Sequence, residues 1–516
     1  MKKVTLRRLL TCLCLLLAGS IQVYAQQPPP SSLPLLNIDD LTYAGAFRLP
    51  AASFGASSLN YSEGPVAYNN SRHSLFIVGH NHDQALAEFA IPELVKSEQI
   101  TDLLMASSPL QGFTDVLNQA SDGNPQLIDR IGGMACFATP TGTEMIVNGY
   151  EYYDAPADNT HSTLLVRDAD NLSTSAVDGF FTFAGGAGHT SGWLSPIPQA
   201  WQSVLGGTYI TGQSSGIPII GRASVGPSAF AFDPLHVVNT TPASSTIAST
   251  KLLDFSLDVP LHDDLSNDTR TNDLWTHLSR VVYGFIVPGT RTYLTLGFSG
   301  GHNSGVCYKC TQNNGNVCGG YCTPDAADIY QFYWLWDVND LQAVKEGSKE
   351  AHTVRPYAYG PFPTPFESDA HALGGGSFDP ATGTLYLSIQ RADNQQGEFN
   401  NPPVIVAYTV SEDFLSVSNE PAELPEFTAG FTADSPYPNP FKSTSSFNLK
   451  VDAPQHIRIT AHDALGRQVA QIHDGHLIAN ERYNFTIMSE DWPIGLYFIR
   501  INGKQGQVTR KIALIE

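Results

Sequence analysis

The sequence predicts an all-β protein, a β-propeller of about seven blades followed by a small immunoglobulin-like β-sandwich. Three observations carry this. Short strand-like runs recur with Gly, Pro and Asp turn punctuation through residues 37–415. Helical pattern is confined to Pro92–Ala106, Pro198–Leu205 and Asn339–Glu346. The segment 435–516 alternates apolar and polar residues over several short strands.

The chain opens with Lys2-Lys3 and Arg7-Arg8, an apolar stretch from Leu9 to Ile21, and small residues up to Ala25. A basic region, a short apolar region and a small-residue site are the parts of an export signal, here cleaved after Ala25. About 13 mostly apolar residues cannot span a hydrocarbon core of ~30 Å. No later run reaches 18, so no transmembrane segment is expected in the mature chain. Residues 26–36 form a Gln/Pro/Ser linker.

Within 37–415 the recurring unit is strand, loop, second strand. Ser74–Val78, Glu144–Val147, Ser228–Phe232, Tyr293–Leu296 and Thr384–Ser388 are first members; Leu86–Pro92, Leu164–Asp168, Tyr333–Asp337 and Val404–Tyr408 are partners. Their separation suits blades of about 50–75 residues, with one or two blades not visible in the pattern. A second, acidic linker follows at 416–434, with Glu420, Glu423, Glu426 and two prolines.

Of seven cysteines, Cys12 and Cys14 lie in the export signal and Cys136 stands alone. The other four form Cys307-x2-Cys310-x7-Cys318-x3-Cys322 in a Gly/Asn-rich insertion preceded by His302. In an oxidising compartment this predicts two disulfides stapling a long loop. The same spacing suits a structural zinc held by four thiolates, or by three and His302. Asp263, Asp264, Asn267 and Asp268 make an oxygen-rich loop suited to calcium, without the spacing of an EF-hand.

Residues 37–415 hold eleven histidines. Loops at strand ends are where function gathers, which makes His80, His82, His161, His189, Tyr153, Tyr209 and Arg222 the pooled catalytic candidates. Such a set suits β-elimination at a uronate. Arg222 would neutralise the carboxylate, a neutral His would take the C5 proton and a Tyr would protonate the leaving oxygen. Hydrolysis would need two carboxylates about 5–10 Å apart, and Asp83, Glu151, Asp154 and Glu367 are available. No dinucleotide fingerprint, P-loop, Gly-x-Ser-x-Gly or His-Glu-x-x-His occurs, so no nucleotide cofactor is expected.

The most specific signal is C-terminal. Pro436-Tyr437-Pro438-Asn439-Pro440-Phe441 is followed by Asp463-Ala464-Leu465-Gly466-Arg467, then Gly495-Leu496-Tyr497-Phe498, then Lys511-Ile512-Ala513-Leu514. This order resembles the C-terminal sorting domain of the type IX secretion system over 435–516. The resemblance implies passage from the periplasm across the outer membrane of a Bacteroidota-type cell, the secretion machinery as partner, and release or anchoring at the surface. Residues 37–415 are loosely similar to the β-propeller ulvan lyases, which implies an extracellular polysaccharide as partner. A non-catalytic glycan- or protein-binding surface propeller is the alternative, as is a glycoside hydrolase on the same fold.

Charge sharpens this picture. The chain holds 28 Lys+Arg and 49 Asp+Glu, a net −21. Residues 1–25 carry four basic groups and no acid, and 435–516 carry nine basic and seven acidic, which leaves about −27 for 26–434. Nucleic acid is excluded as a partner, because its binders carry basic stripes along the phosphates. An anionic polysaccharide would have to meet a few focused cations.

Overall fold

The computed structural model describes residues 29–515, apart from 122, 140–141, 215–222, 241–245, 370, 398, 412–413, 415–430, 435, 464–466, 480, 490–491 and 505–506. The export signal, most of the acidic linker and Arg222 lie outside the described residues.

The described residues are mostly β-strand, as expected. The chain enters through β1 (Leu41–Arg48) and then builds one antiparallel sheet after another. The first sheet holds β2 (Val66–Asn69), β3 (Ser74–Val78), β4 (Leu86–Ala90) and β5 (Gln111–Thr114). The second holds β6 (Arg130–Thr139), β7 (Gly142–Tyr150), β8 (His161–Val166) and β9 (Val177–Phe183). The third holds β10 (Leu194–Pro196), β11 (Tyr209–Thr211) and β12 (Ala229–Phe232). The short β13 (Thr246–Ile247) then pairs back onto β9, and β14 (Thr250–Leu253) completes the third sheet. The fourth holds β15 (Arg280–Ile286) and β16 (Thr292–Gly300). After a small hairpin, β17 (Cys307–Tyr308) with β18 (Tyr321–Cys322), it continues in β19 (Ile329–Asp337) and β20 (Ala358–Pro361). The fifth holds β21 (Leu373–Asp379), β22 (Thr384–Ile389) and β23 (Val404–Val410), and its fourth strand is β1, in register from Leu41 opposite Val410 to Arg48 opposite Val404.

The first strands of the five sheets also pack on one another. β2 touches β6 and β21, β6 touches β10, β10 touches β15, and β15 touches β21. Glycine makes this approach possible. A Cβ on Gly132 would lie 2.1 Å from the Ser191 carbonyl oxygen, one on Gly133 2.3 Å from that of Gly192, and one on Gly374 2.4 Å from that of Glu63. Where a strand must press on a neighbour's backbone, only a residue without a Cβ fits.

No backbone ladder joins one first strand to the next, so side chains satisfy the facing polar groups. Asn148 donates from Nδ2 to the carbonyls of Thr190 and Gly192. Ser214 accepts from Val281 N, the Gln84 amide oxygen accepts from Ile131 N, and Ser388 donates to the Gly64 carbonyl. The Tyr283 hydroxyl accepts from Phe378 N.

The middle strands are buried on both faces. All of β3 and β22, and all of β7 beyond its first residue, lie inside, which is why they read as continuous apolar runs. Two of the three helical expectations hold, as α2 (Gln199–Leu205) and α4 (Val338–Lys345), the others being α1 (Ala187–Thr190) and α3 (Pro234–Val238). Pro92–Ala106 is a correction, since it holds only a 3-10 turn at Ile100–Asp102. Val95 bridges to Ala46 and Met105 to Arg48, so the segment covers the outer edge of β1, where an open strand would invite pairing with another chain. Up to residue 410 the described residues hold four four-stranded sheets and one five-stranded sheet, the one that β13 joins. The intervals 254–279 and 301–328 contain loops and, in the second, the small β17–β18 hairpin.

Beyond residue 430 lie seven strands: β24 (Phe431–Ala433), β25 (Thr444–Val451), β26 (Gln455–Asp463), β27 (Gln468–Leu477), β28 (Arg482–Met488), β29 (Gly495–Asn502) and β30 (Gln507–Leu514). They form a three-stranded and a four-stranded sheet around a common core that includes Phe447, Ile459, Ile499 and Ile512.

A prediction follows for the close approach of first strands. Gly132→Ala in the full chain should cost about 3 kcal/mol or abolish soluble folding, as overpacking against a rigid backbone does. Gly319→Ala, with nothing within 4 Å of the added Cβ, should stay within about 0.5 kcal/mol of the parent. Denaturant midpoints compare the two.

Candidate functional site

First strands start, and second strands finish, at the same end of every sheet, and a polar pocket lies there. Each sheet contributes to its wall: Glu63 and Gln84 from the first, Arg130 and Tyr150 from the second, Gln213 from the third, Arg280 from the fourth and Gln390 from the fifth. Arg130 and Tyr150 face each other in the β6–β7 register. Arg280 opens β15, and its Nη2 donates to the Tyr150 hydroxyl at 3.4 Å. No carboxylate lies within ion-pair distance of Arg280 among the described residues, whereas Arg130 pairs with Asp129 at 3.2 Å and covers the Tyr152 ring at 4.9 Å. Burial pushes the Tyr150 hydroxyl above the usual phenol range; Arg280 pulls against that, Glu63 adds to it and Arg130 opposes it. At neutral pH the phenol is therefore a proton donor.

Gln84 also lines an adjoining groove of about 420 Å³, walled by His82, Asp83, Asp115, Asp129, Glu151 and Tyr153. The groove and the central pocket share that one side chain, so the groove, between the first and second sheets, adjoins the central pocket.

The six pooled candidates that lie among the described residues do not meet in one pocket. His82 and Tyr153 share the groove. His80 packs beside His82, ring centroids 5.4 Å apart, and edge-on to Tyr61. His161 opens β8 and bonds through Nδ1 to the Thr160 hydroxyl at 2.9 Å. His189 lies on α1, with Nδ1 2.6 Å from Asp254, which also binds Lys251 at 2.6 Å. Tyr209 is a packing residue on β11, set against Phe137 and Phe232, and burial raises its hydroxyl further than that of an exposed tyrosine. Of the four candidate hydrolytic carboxylates, Asp83 and Glu151 line the groove.

Arg130, Arg280 and Tyr150 were not among the candidates. Each sits at a strand end with no motif of its own. The available signal was the pair of glycine runs, Gly132-Gly133 and Gly374-Gly375-Gly376, which mark first strands at the centre and hence the neighbouring Arg130.

The cysteine expectation is met in its disulfide form: Cys307 bonds Cys310 and Cys318 bonds Cys322. Cys307, Cys310 and Cys322 also bring their sulfurs within 4.8 Å of one another, a cluster able to hold a metal. His302 is a correction as a ligand. Its Nε2 meets the Ser299 hydroxyl at 2.7 Å and its Nδ1 the Asn272 carbonyl at 3.0 Å, so both ring nitrogens serve the loop. In the expected calcium loop, Asp264 accepts from the amides of Asp268 and Thr269, while Asn267 donates to the Gly301 and His302 carbonyls. Those oxygens and amides build the turn. Around Asp263 and Asp264 no three His, Cys, Asp or Glu ligand atoms converge among the described residues.

Comparison with known proteins identifies the C-terminal segment. Residues 435–515 match the secretion system C-terminal sorting domain, so the chain carries the address for type IX secretion to the surface or beyond. No curated protein matches the chain. Among solved structures, the dimeric latent PorU of Porphyromonas gingivalis is 12% identical, with a TM-score of 0.14, over 75% of this chain and 28% of its own. A Faecalibacterium prausnitzii β-glucuronidase is 12% identical, with a TM-score of 0.15, over 57% and 46%. A Bacillus subtilis family 43 arabinoxylan arabinofuranohydrolase in complex with cellotetraose is 8% identical, with a TM-score of 0.18, over 92% and 95%. The chain thus spans less than half the length of the first two, and scores this low carry no argument about fold or activity. Among the described residues no helix is long and apolar enough to cross a membrane.

One pH effect follows from the His189–Asp254–Lys251 group. Burial alone would raise the Asp254 carboxyl, but His189 and Lys251 hold it net below the usual carboxylate range. A depressed folded-state pKa stabilises the fold above the unfolded carboxylate value of about 3.9, and that stability disappears as pH falls through the folded value. Asp254→Asn should therefore lower stability at pH 7 and flatten its decline in the acid limb. Urea midpoints taken from pH 7 down to pH 3 read this.

Proposed function

We propose that this is an exported protein acting on acidic extracellular polysaccharide, in which the five meander sheets are blades of a propeller closed by β1 and the working site is the groove of about 420 Å³ together with the central pocket it adjoins, whose roughly 20 Å³ is too small for a sugar ring. The observation that carries the reading is Arg280, a cation with no carboxylate partner among the described residues, set against the buried Tyr150 hydroxyl. Such a group recognises a sugar carboxylate. In β-elimination, Arg280 and Arg130 would neutralise the uronate, and the protonated Tyr150 would deliver a proton to the leaving O4. His82 would remove the C5 proton from the adjoining groove. The net −27 of residues 26–434 is compatible with this because on the wall of the central pocket two cations, Arg130 and Arg280, stand against one carboxylate, Glu63. Export begins with the signal at 1–25 and ends with removal or exchange of the sorting segment, outside the roughly 37–415 working domain.

A hydrolytic reading is favoured by one feature, the carboxylates Asp83, Asp115, Asp129 and Glu151 along the groove. The two reactions separate cleanly. Incubation with uronate polysaccharides should give absorbance near 235 nm from the unsaturated product; new reducing ends without that absorbance would reject elimination. Arg280→Ala and Tyr150→Phe should each lower the elimination rate by about a hundredfold or more with thermal midpoints close to the parent. Binding without turnover across the glycan panel would make the protein a surface lectin-like module.

The export step has its own test. In the native host, removal of residues 435–516 should leave the chain in the periplasm, while the full chain reaches the surface or medium. Fractionation and immunoblotting distinguish the two, and surface delivery of the truncated chain would sink the assignment of the address.

A further inference from the structure

Cys307, Cys310 and Cys322 bring their sulfurs within 4.8 Å of one another across the two disulfides, and the fourth, Cys318, is bonded to Cys322. Cys307 and Cys322 face each other in the β17–β18 hairpin. Across the two bonded pairs, Cys310 Sγ lies 3.4 Å and Cys307 Sγ 3.8 Å from Cys322 Sγ. A tetrahedral tetrathiolate zinc with Zn–S of about 2.3 Å has sulfur–sulfur edges of about 3.8 Å. The backbone gathers the sulfurs: Lys309 N donates to the Gly320 carbonyl and Cys318 N to that of Cys310, which folds the Cys307-x2-Cys310 and Cys318-x3-Cys322 turns against each other. Cys136 is remote in the chain, on β6, and His302 is committed elsewhere, so the set is four thiols and nothing else.

We propose that these four cysteines, when reduced, hold one zinc ion as a tetrathiolate, giving the loop two interchangeable staples. Either staple does the same mechanical work on a segment too polar and glycine-rich to build a core. Passage from the zinc form to the disulfide form removes four electrons from four thiolates, forms two S–S bonds and releases Zn²⁺. The electrons go to a protein disulfide oxidant of the exported compartment, two in each of two turnovers. Loading from the thiol form releases four protons as the thiolates form.

The experiment uses the full chain, reduced with a phosphine and dialysed against zinc and then against metal-free buffer. The expected result is one zinc retained per chain by elemental analysis, and its loss in Cys310→Ser/Cys322→Ser. Replacement of zinc by Co²⁺ in the parent should give the thiolate charge-transfer and ligand-field absorption of a tetrahedral sulfur site, a readout that stands even if the double variant folds poorly. Oxidation of the zinc form should release the metal and lower the intact mass of the metal-free chain by four protons. No retained zinc, equal zinc in the double variant, or a cobalt spectrum without thiolate bands would each overturn the proposal.

Discussion

The structure depends on first strands that approach their neighbours to distances that exclude a side chain, at Gly132 and Gly133 against Ser191 and Gly192 and at Gly374 against Glu63. At those points no apolar layer lies between the strands, so the free energy of these contacts cannot come from side-chain burial there, unlike the β15–β21 contact, where Phe285 stacks on Phe378. It comes instead from carbonyls and amides satisfied by Asn148, Ser214, Gln84, Ser388 and Tyr283. Each unpaired backbone group at such a site would cost about 1–3 kcal/mol, which makes glycine and small polar residues a joint requirement. Apolar burial is displaced outward, into the layers between sheets where Trp193, Trp334 and Trp336 pack.

That constraint also generates the candidate site. Tight packing at the inner strands forces the next residues along, at the strand entries, to point into whatever space remains at the end. Because five sheets deliver equivalent positions to one place, residues as distant as Glu63, Arg130 and Arg280 become neighbours. The Tyr150 hydroxyl is buried by the same convergence, and burial holds its proton on. The cation beside it compensates only in part.

The strands were legible in the sequence because the middle strand of each sheet is buried on both faces and so appears as an uninterrupted apolar run. Ser74–Val78 and Thr384–Ser388 are of this kind, and both are strands. The short first strands were not legible: Val66–Asn69 and Leu194–Pro196 have too few residues to show a period, and their role is fixed by neighbours far away in the chain. The residues of the central pocket are hard to read in the sequence for the same reason. A histidine-rich pool was drawn from loops, but convergence belongs to strand entries, and Arg280 has no local signature. Pro92–Ala106 misled because its apolar residues are spaced to cover the edge of β1, a tertiary demand that imitates an amphipathic helix. The sorting segment was legible throughout, since its motif order is local and its turns name themselves.

The acidity of the chain then acquires a physical meaning. A surface near −27 over residues 26–434 repels polyanions at long range, but over distances beyond about 8 Å that repulsion is screened at physiological ionic strength. Two guanidiniums at a partly enclosed strand-end pocket act inside that distance, where water is scarce and the effective dielectric is lower. Selection between an anionic and a neutral glycan would therefore rest on the local pair and hardly at all on the global charge. The carboxylates of the adjoining groove work in the opposite sense, favouring the neutral part of a chain.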